Sequence, residues 1–365
     1  MAAGVPEFLS GWRGLGRFWL IVLAALGVVA VVLQSLGPPQ PRQVARSEAP
    51  AVAPEPAAAA PEAVKVPAAA APAPLAEQLP GRDTPGAITD PDPGLLEPDP
   101  SARERQLPRI SVDGRSPMHV YAAGFDPTTL RPRVGIMIAG IGLSEAESMA
   151  AIRDLPAAAT LAVSPYSGDI DRMLASARLA GHEYLLSVPM EPQGYPINDP
   201  DDRQALMPSL PSEENLGRLR RVLSRIGGYV GVTSALGPMH GERLAADREQ
   251  FEAFLKEIAH RGLLFADARP GETLLPLAWN RSVDVVIDDD PVNEATLDAR
   301  LDALSKLARD RGSALGLVSV PRPKTLERVA AWSNTLMAKG LILAPVSALV
   351  QPADIPLPID ASLKQ

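Results

Sequence analysis

The sequence predicts an α/β fold: a distorted (β/α) barrel of about seven strands, preceded by one transmembrane helix and a disordered linker. Three observations lead to this prediction. Short apolar runs alternate with helical periodicity from Arg133 onward, which is typical of βα units around a parallel sheet. About seven such units exceed what an open flavodoxin-like sheet needs and approach the number in a closed barrel. Ahead of them lie an uncharged apolar run and a long Ala/Pro-rich stretch.

The strands are predicted from short apolar runs bounded by turn residues or helices. In chain order the candidates are Val134–Ile138, Thr160–Val163, Tyr184–Val188, Tyr229–Val232, Leu263–Ala266, Val283–Ile287, Leu315–Val320 and Leu341–Val346. Amphipathic helices are predicted between them. The first begins at a capping box, with Ser144 as the N-cap and Glu147 three residues later. The second ends at Gly181, which suits the left-handed position after a helix.

Residues 18–36 form an apolar run without a formal charge, and they predict a transmembrane helix. Arg13 and Arg17 precede the run, so the positive-inside rule favours residues 1–17 as a cytoplasmic N-terminus, although Arg42 and Arg46 follow it. A cleaved signal peptide is the alternative, but no small-residue cleavage site closes the run. The prediction is a single-pass protein of a bacterial inner membrane, with its C-terminal domain, residues 131–350, in the periplasm.

Residues 37–130 are predicted to be a Pro/Ala-rich disordered linker, because their composition buries little apolar surface. The prolines favour extended polyproline-II segments, which act as spacers between a domain and a bilayer. Within this stretch, Pro117–Phe125 is predicted to be an ordered lead-in that packs on the domain. Residues 351–365 are predicted to be a C-terminal tail.

The overall charge and the cysteine content exclude several classes of function. The formal net charge is −8, and no block of Lys and Arg supplies the counterion release on which nucleic-acid binding depends. A nucleic-acid partner is therefore not expected. Cysteine is absent, which excludes disulfides and thiolate metal sites.

Short segments at predicted strand ends carry a resemblance to a known family. They are Gly181–Glu183 (Gly-His-Glu), Pro189–Pro192 (Pro-Met-Glu-Pro), Gly231-Val232, Gly262–Asp267 and Pro345–Ser347. In this order they resemble the divergent polysaccharide deacetylase family, relatives of the NodB-like carbohydrate esterases. The resemblance covers residues 133–349 and implies a NodB-like barrel linked to envelope carbohydrate metabolism. His182 and Glu183 are expected to satisfy backbone groups at a helix-to-strand junction.

The resemblance also implies a divalent metal such as zinc, with a carboxylate base, for removing acetyl groups from amino sugars. The family has paired aspartates after its first strand, where this sequence reads Ile138–Gly142 (Ile-Ala-Gly-Ile-Gly). Ala235 and Val320 stand where the family has histidines, and Ser187 where it has His or Gln. Because these side chains lack the required donor atoms, no metal or other cofactor is expected. Asp267 alone survives of the polar strand-end set.

Four residues form the predicted substrate-binding site at the strand ends: Asp267, Arg269, Glu191 and His240. Asp267 and Glu191 are also the candidate catalytic residues. A purely structural Asp267–Arg269 ion pair is weighed equally with a ligand contact. His240 is considered a displaced replacement for the family histidine. Asp288–Asp290 lacks the spacing of a calcium loop and is interpreted as a solvated acidic loop.

Three functional hypotheses follow. The first is a membrane-anchored, deacetylase-like protein that lacks metal-dependent activity and binds an envelope glycan. The second is an active hydrolase or deacetylase whose site is rearranged around Asp267, Glu191 and His240. The third is a structural module that docks on an envelope protein complex, for which an exposed apolar patch is the expected sign.

Overall fold

A computed structural model describes Trp19 and residues 85–353, except Asp169, residues 200–202 and Pro291. Apart from Trp19, the predicted membrane helix 18–36 lies outside the described residues. So do residues 1–17, residues 37–84 and the tail from residue 354. Among the described residues, no helix combines the length and the apolar composition that crossing a membrane needs. Membrane anchoring therefore stays a prediction.

A parallel sheet forms the centre of the domain, as the alternating pattern predicts. Its strands are β3 Arg133–Ile141, β4 Thr160–Val163, β5 Tyr184–Ser187, β6 Gly231–Thr233, β7 Leu264–Asp267, β8 Asn280–Ser282, β9 Val285–Val286, β10 Ser313–Val318 and β11 Ile342–Leu343. In the described chain eight of them form one path, β8-β7-β6-β5-β4-β3-β10-β9, and β11 pairs with the start of β3. Every pairing in this sheet is parallel. The α/β class and the repeated βα order are confirmed.

The sheet curls, because its two outer strands come from one short stretch of chain. β8 and β9 are separated only by Val283 and Asp284. The Val283 N–H donates to the carbonyl of Asp267 at the end of β7 (2.9 Å), and the Asp284 N–H donates to Leu315 of β10 (2.8 Å). The run predicted as one strand, Val283–Ile287, thus passes from one edge of the path to the other. The result is a curled, barrel-like sheet with eight strands in its path rather than about seven.

Helices cover the outer face of the sheet. They are α2 Glu145–Asp154, α3 Asp171–Ala180, α4 Ser212–Leu223, α5 Glu242–Ala246, α6 Arg248–His260, α7 Glu294–Arg311 and α8 Pro323–Ser333. Ser144 caps α2 by accepting from the Glu147 N–H (3.4 Å), which is the Ser144 half of the predicted capping box. Gly181 follows α3 at φ 86°, as predicted. Side chains of β3 alternate between two cores: Ile136 faces the helices, and Met137 faces the inside of the curl.

The predicted linker is wrong over residues 85–130, which are part of the folded domain. β1 Leu96–Asp99 pairs antiparallel with β2 Ala102–Pro108, and α1 Pro117–Val120 follows. Leu95 and Leu107 are completely buried. The error has a physical cause: β2 is a half-exposed strand whose exposed residues, Arg103, Glu104 and Gln106, are charged or polar, so its composition resembles that of a solvated linker. The ordered lead-in predicted at Pro117–Phe125 is found.

This N-terminal segment covers the end of the sheet at which the strands begin. The Ile88 N–H donates to Arg178 O near the end of α3 (2.8 Å), and the Met118 N–H donates to Gly262 O just before β7 (3.1 Å). The Arg261 guanidinium donates to Pro108 O (2.9 Å). The described chain therefore enters the domain opposite the ends of the strands.

Candidate functional site

The carboxyl ends of the parallel strands meet at one end of the sheet, which we call the mouth. It is formed by the loops after β3 to β7, β9 and β10. In parallel α/β folds, loops at this end carry the functional side chains, because they leave a rigid sheet in converging directions. Three of the four predicted site residues lie at neighbouring strand ends: Asp267 ends β7, Arg269 follows it, and His240 is on the loop after β6.

Asp267 is completely buried at the end of β7, and its carboxylate is held by Arg269. The Arg269 Nε lies 3.1 Å from one carboxylate oxygen and 3.0 Å from the other. The Arg269 backbone N–H and the Ser234 hydroxyl donate to the first oxygen at 2.9 and 3.3 Å. The guanidinium in turn lies 5.2 Å from the centroid of the Phe251 ring. The ion pair considered in the sequence analysis exists, and it engages both oxygens of Asp267.

Glu191 lies on the loop after β5 and is 3% exposed. Its carboxylate forms an ion pair with Arg243 Nη1 at 2.9 Å, and its carbonyl accepts from the Arg243 N–H at 3.1 Å. Both contacts connect the loop after β5 to α5. The structure thus gives Glu191 a partner on α5, whereas Asp267 has its partners on the loops after β6 and β7.

His240, on the loop after β6, has an unsatisfied ring nitrogen. Its Nδ1 lies 3.6 Å from Glu242, while Nε2 is buried and has no hydrogen-bond partner among the described residues. Burial lowers the pKa of the imidazole, and the negative charges of Glu242, Asp267, Asp289 and Asp288 partly oppose that shift. The His240 ring therefore lies within the electrostatic reach of the Asp267 carboxylate.

Asp288 has a role that the sequence analysis missed. Its two oxygens accept the backbone N–H groups of Ser319 (2.7 Å) and Val320 (2.9 Å), which follow β10. The side chain is 7% exposed, so the interpretation as a solvated acidic loop is wrong for this residue. Its position directly after an apolar run was the only signal in the sequence. Arg300 also fixes this loop by donating to Ile287 O at 3.2 Å.

His182 and Glu183 lie at the opposite end of the sheet, where they have structural contacts as expected. The ring nitrogens of His182 lie 2.9 Å from Ala159 O and 3.1 Å from Ile152 O. The Glu183 carboxylate accepts from the backbone N–H groups of Ala123 and Ser347, both at 3.0 Å. Glu183 therefore connects the N-terminal segment, β5 and the chain after β11.

A cleft of about 740 Å³ opens beside the mouth, between the first turns of α2 and α3. The loops after β3 and β4 complete it, at Gly142, Leu143 and Gly168. None of the four predicted site residues lines it. The packing of two consecutive helices and the loops after β3 and β4 creates this cleft, so the pattern of no one element could have indicated it.

Comparison with known sequences now decides the family. Residues 136–350, more than half of the chain, match the sequence profile described as divergent polysaccharide deacetylase. The chain belongs to the divergent polysaccharide deacetylase family. The matched range begins in β3 and extends past β11, so the family domain corresponds to the whole curled sheet and its helices.

One curated protein and one solved structure are similar to this chain. The Escherichia coli (strain K12) protein YibQ, described as uncharacterized, is 26% identical over 178 residues, which is 47% of this chain and 53% of that protein. The match thus spans about half the length of that relative. The crystal structure of the uncharacterized protein ATU2773 from Agrobacterium tumefaciens C58 aligns with a TM-score of 0.62 and 34% identity, over 67% of this chain and 100% of that one.

The donor groups at this mouth do not fit the metal that the family would use. Both Asp267 oxygens are engaged by Arg269, and both Asp288 oxygens accept backbone N–H groups. A ligand carboxylate must offer a lone pair to the ion. The Asp267 lone pairs already face donors, and each Asp288 oxygen has one of its two lone pairs occupied by a backbone N–H. Among the described residues, no group of three or more His, Cys, Asp or Glu side chains is placed to hold a metal ion.

Proposed function

We propose that this protein is a membrane-anchored member of the family that binds an envelope glycan and lacks metal-dependent deacetylase activity. One observation carries the proposal: the surviving acidic residue of the family set, Asp267, is buried in an ion pair with Arg269 that uses both of its oxygens. A carboxylate in this arrangement supports the protein structure and is poorly placed to activate water.

The neighbouring strand ends support the same proposal. Ala139 and Ala235 are completely buried, and Gly140 adopts φ 79° at the end of β3. Methyl groups and glycine offer no donor atom to a metal or to a reacting carbonyl. The fold that would position catalytic groups is kept, while the groups themselves are replaced. A retained fold with a changed mouth favours binding over hydrolysis.

The path of the chain supports a tethered arrangement. Residues 85–130 reach the domain at the end where the strands begin, as the contact of Ile88 with Arg178 shows. The described part of the domain therefore begins on the side opposite the mouth.

The test is a metal and activity measurement on the purified full-length chain. We expect elemental analysis, after incubation with zinc, cobalt or nickel and desalting, to find no stoichiometric metal. We also expect no acetate release from N-acetylated oligosaccharides, but saturable binding of them by calorimetry. Stoichiometric metal that is lost in Asp267→Ala, together with acetate release, would overturn the proposal. If no oligosaccharide binds, the glycan-binding part of the proposal is wrong.

His240 gives one observation in favour of the hydrolase alternative. A buried ring nitrogen without a partner is costly unless a ligand or a water molecule uses it. The ring also lies within reach of the Asp267 charge. If the site is a rearranged hydrolase, His240→Ala abolishes acetate release while the thermal midpoint stays within a few degrees. If the wild type releases no acetate, this alternative is wrong.

A further inference from the structure

An exposed leucine lies at the edge of the cleft between α2 and α3. Leu143 lines the cleft, and its surface is 63% exposed to solvent. The floor of the cleft is apolar: Ile170 and Met173 are buried, and Met149 is half-buried. One face of the domain therefore carries an apolar side chain that projects and, next to it, an apolar hollow of about 740 Å³. A face with both features is complementary to a copy of itself.

Short contacts fix the loop that carries Leu143. The Leu143 N–H donates to Gly140 O (3.3 Å), and the Gly142 N–H donates to the Ser148 hydroxyl oxygen (2.9 Å). Gly142 adopts φ 91°, and a Cβ at this position would lie 2.6 Å from the Cβ of Ser167 on the loop after β4. The two loops therefore pack closely only because this residue is glycine. A side chain on a fixed loop loses less entropy on association than one on a mobile loop.

The α2 wall of the cleft is negative. Because α2 and α3 both begin at the cleft, each helix end adds a partial positive charge of about half a unit there. Glu145 and Glu147, both in the first turn of α2, carry two negative charges and outweigh that contribution. The Ser144 side chain also accepts from the first-turn N–H of Glu147, so part of this helix end is already satisfied. An anionic ligand is therefore not favoured at the α2 wall.

The α3 wall has the opposite sign. In the described chain the first turn of α3 has no side-chain cap, so its partial positive charge is less compensated. Asp171 and the exposed Arg172 carry charges that cancel. The Arg225 guanidinium adds a positive charge on this side, where it donates to Pro165 O (3.2 Å) and Ser167 O (3.0 Å). The cleft therefore has one negative and one positive wall, and a ligand of a single charge sign is repelled by one of them.

We infer that this face is the interface of a symmetric dimer, in which a second copy of the chain covers the cleft. A two-fold axis places the α2 wall of each copy against the α3 wall of the other, so every contact is formed twice. Glu145 of each copy meets Arg172 of the other as a carboxylate–guanidinium pair. Leu143 of each copy packs on the apolar floor of the other, at the centre of the interface. The inference goes beyond the proposed function and does not depend on glycan binding.

The experiment is sedimentation equilibrium of the full-length chain in density-matched detergent, over a series of chain concentrations. The wild type is expected to dimerise. Glu145→Arg and Arg172→Glu each create like-charged pairs in both halves of the interface, and each is expected to weaken the dimer about tenfold or more. The double variant Glu145→Arg/Arg172→Glu again has opposite charges across the axis. Its affinity is expected to return to within about threefold of the wild type.

Two further variants separate the interface from effects on folding. Leu143→Glu places a charge in the apolar centre and is expected to abolish the dimer. Glu249→Arg is the matched control, because Glu249 occupies the first turn of α6 as Glu145 does that of α2. It introduces the same unfavourable charge at a helix start and is expected to dimerise like the wild type. Circular dichroism checks that each variant is folded.

Three results would contradict the symmetric dimer. A wild type that is monomeric at ~100 µM chain has no interface of useful affinity. A dimer that is unchanged in Glu145→Arg, Arg172→Glu and Leu143→Glu is joined through another surface. Single reversals that weaken the dimer without recovery in the double variant would show that Glu145 and Arg172 do not face each other. Oligosaccharide binding is measured separately, so failure of this inference and failure of the proposed function are distinguishable.

Discussion

The Arg269 guanidinium lies against both oxygens of the completely buried Asp267 carboxylate, with its Nε 3.1 and 3.0 Å from them. The Arg269 side chain is itself only 14% exposed. Two charges that are removed from water in this way depend on each other, because either one alone would be buried without compensation. The pair therefore stabilises the mouth, and it also occupies the carboxylate oxygens that would otherwise be able to act on a ligand.

The first prediction is that Arg269→Ala destabilises the domain strongly. Leaving the Asp267 carboxylate buried and unpaired costs about 3–5 kcal/mol of unfolding free energy. The double variant Asp267→Ala/Arg269→Ala is expected to recover part of that loss, since no lone charge remains. Urea denaturation followed by tryptophan fluorescence measures both. Arg153→Ala, which breaks the exposed pair with Asp154, is the control and is expected to change little.

A catalytic or ligand-binding role for Asp267 and a purely structural one predict different effects of Asp267→Ala on the thermal midpoint. In the first case Asp267→Ala abolishes binding or activity while the thermal midpoint hardly changes. The structural pair predicts that the same variant is destabilised, because Arg269 then loses the carboxylate that its Nε and backbone N–H both contact. An unchanged midpoint in Asp267→Ala would contradict the structural interpretation.

The second prediction concerns where the folded domain begins. A chain of residues 85–353 is expected to unfold cooperatively, whereas one of residues 131–353 is expected not to fold. The shorter chain lacks Leu95, Leu107, Met118 and Tyr121, all of which are 2% exposed or less. Each contributes about 1.5–3 kcal/mol by burial, and together they approach the whole net stability of a typical domain, ~5–15 kcal/mol. Near-ultraviolet circular dichroism and thermal melts compare the two. Equal melting midpoints would show that the segment is dispensable.

Much of the fold could be predicted because βα units carry local signals. Thr160–Val163 is found with the predicted bounds, Ser144 is the N-cap of α2, and Gly181 follows the end of α3 as expected. The errors occur where neighbouring strands, not local pattern, define an element. Asn280–Ser282 is polar at all three of its positions and becomes a strand only by pairing with β7. Gln351, placed in the predicted tail, pairs with Asn280 across 71 residues of chain.

In the candidate site, too, some contacts could be predicted from the sequence and others could not. The contact of Asp267 with Arg269 was foreseeable, because two residues separated by one position after a strand lie close together. The role of Asp288 was not, since its partners Ser319 and Val320 follow a different strand. The cleft beside Gly142 depends on the packing of α2 against α3. Sequence patterns indicate periodicity, whereas such contacts depend on tertiary structure.

The third prediction uses the buried Glu183. Both of its oxygens accept backbone N–H groups, from Ser347 and from Ala123. In Glu183→Gln, the new amide NH₂ must face one of these N–H donors, so the variant is expected to lose about 1–3 kcal/mol of unfolding free energy. Glu249→Gln on the surface of α6 is the matched control. Unchanged stability in Glu183→Gln would contradict the hydrogen-bond assignment.

Glu183 also predicts a dependence of stability on pH. Burial raises its pKa above the ordinary 4.5, although the hydrogen bonds from Ser347, Ala123 and Thr160 oppose the shift. The folded state therefore binds the proton more tightly than the unfolded chain. The resulting stabilisation is full below about pH 4.5 and is lost as the pH rises through the folded-state pKa. Urea midpoints measured across this range are expected to show that fall in the wild type and not in Glu183→Gln.

The fourth prediction concerns His240 and has the opposite sign. Burial lowers the pKa of the imidazole below its ordinary 6.5, against the opposing charges of Glu242, Asp267, Asp289 and Asp288. The unfolded chain therefore binds the proton more tightly than the folded protein. The stability that comes from keeping the ring neutral is full above pH 6.5 and is lost as the pH falls through the folded-state pKa.

Proton NMR of the His240 ring is expected to give a titration midpoint below 6.5, and His240→Gln is expected to remove the loss of stability on acidification. The same change at the exposed His260 on α6 controls for the substitution itself. A midpoint above 6.5 would mean that the carboxylates outweigh burial, and a midpoint well above 7 would mean that the ring is charged at neutral pH. The mouth would then hold an imidazolium beside Asp267, which would strengthen the hydrolase alternative because a general acid would be in place.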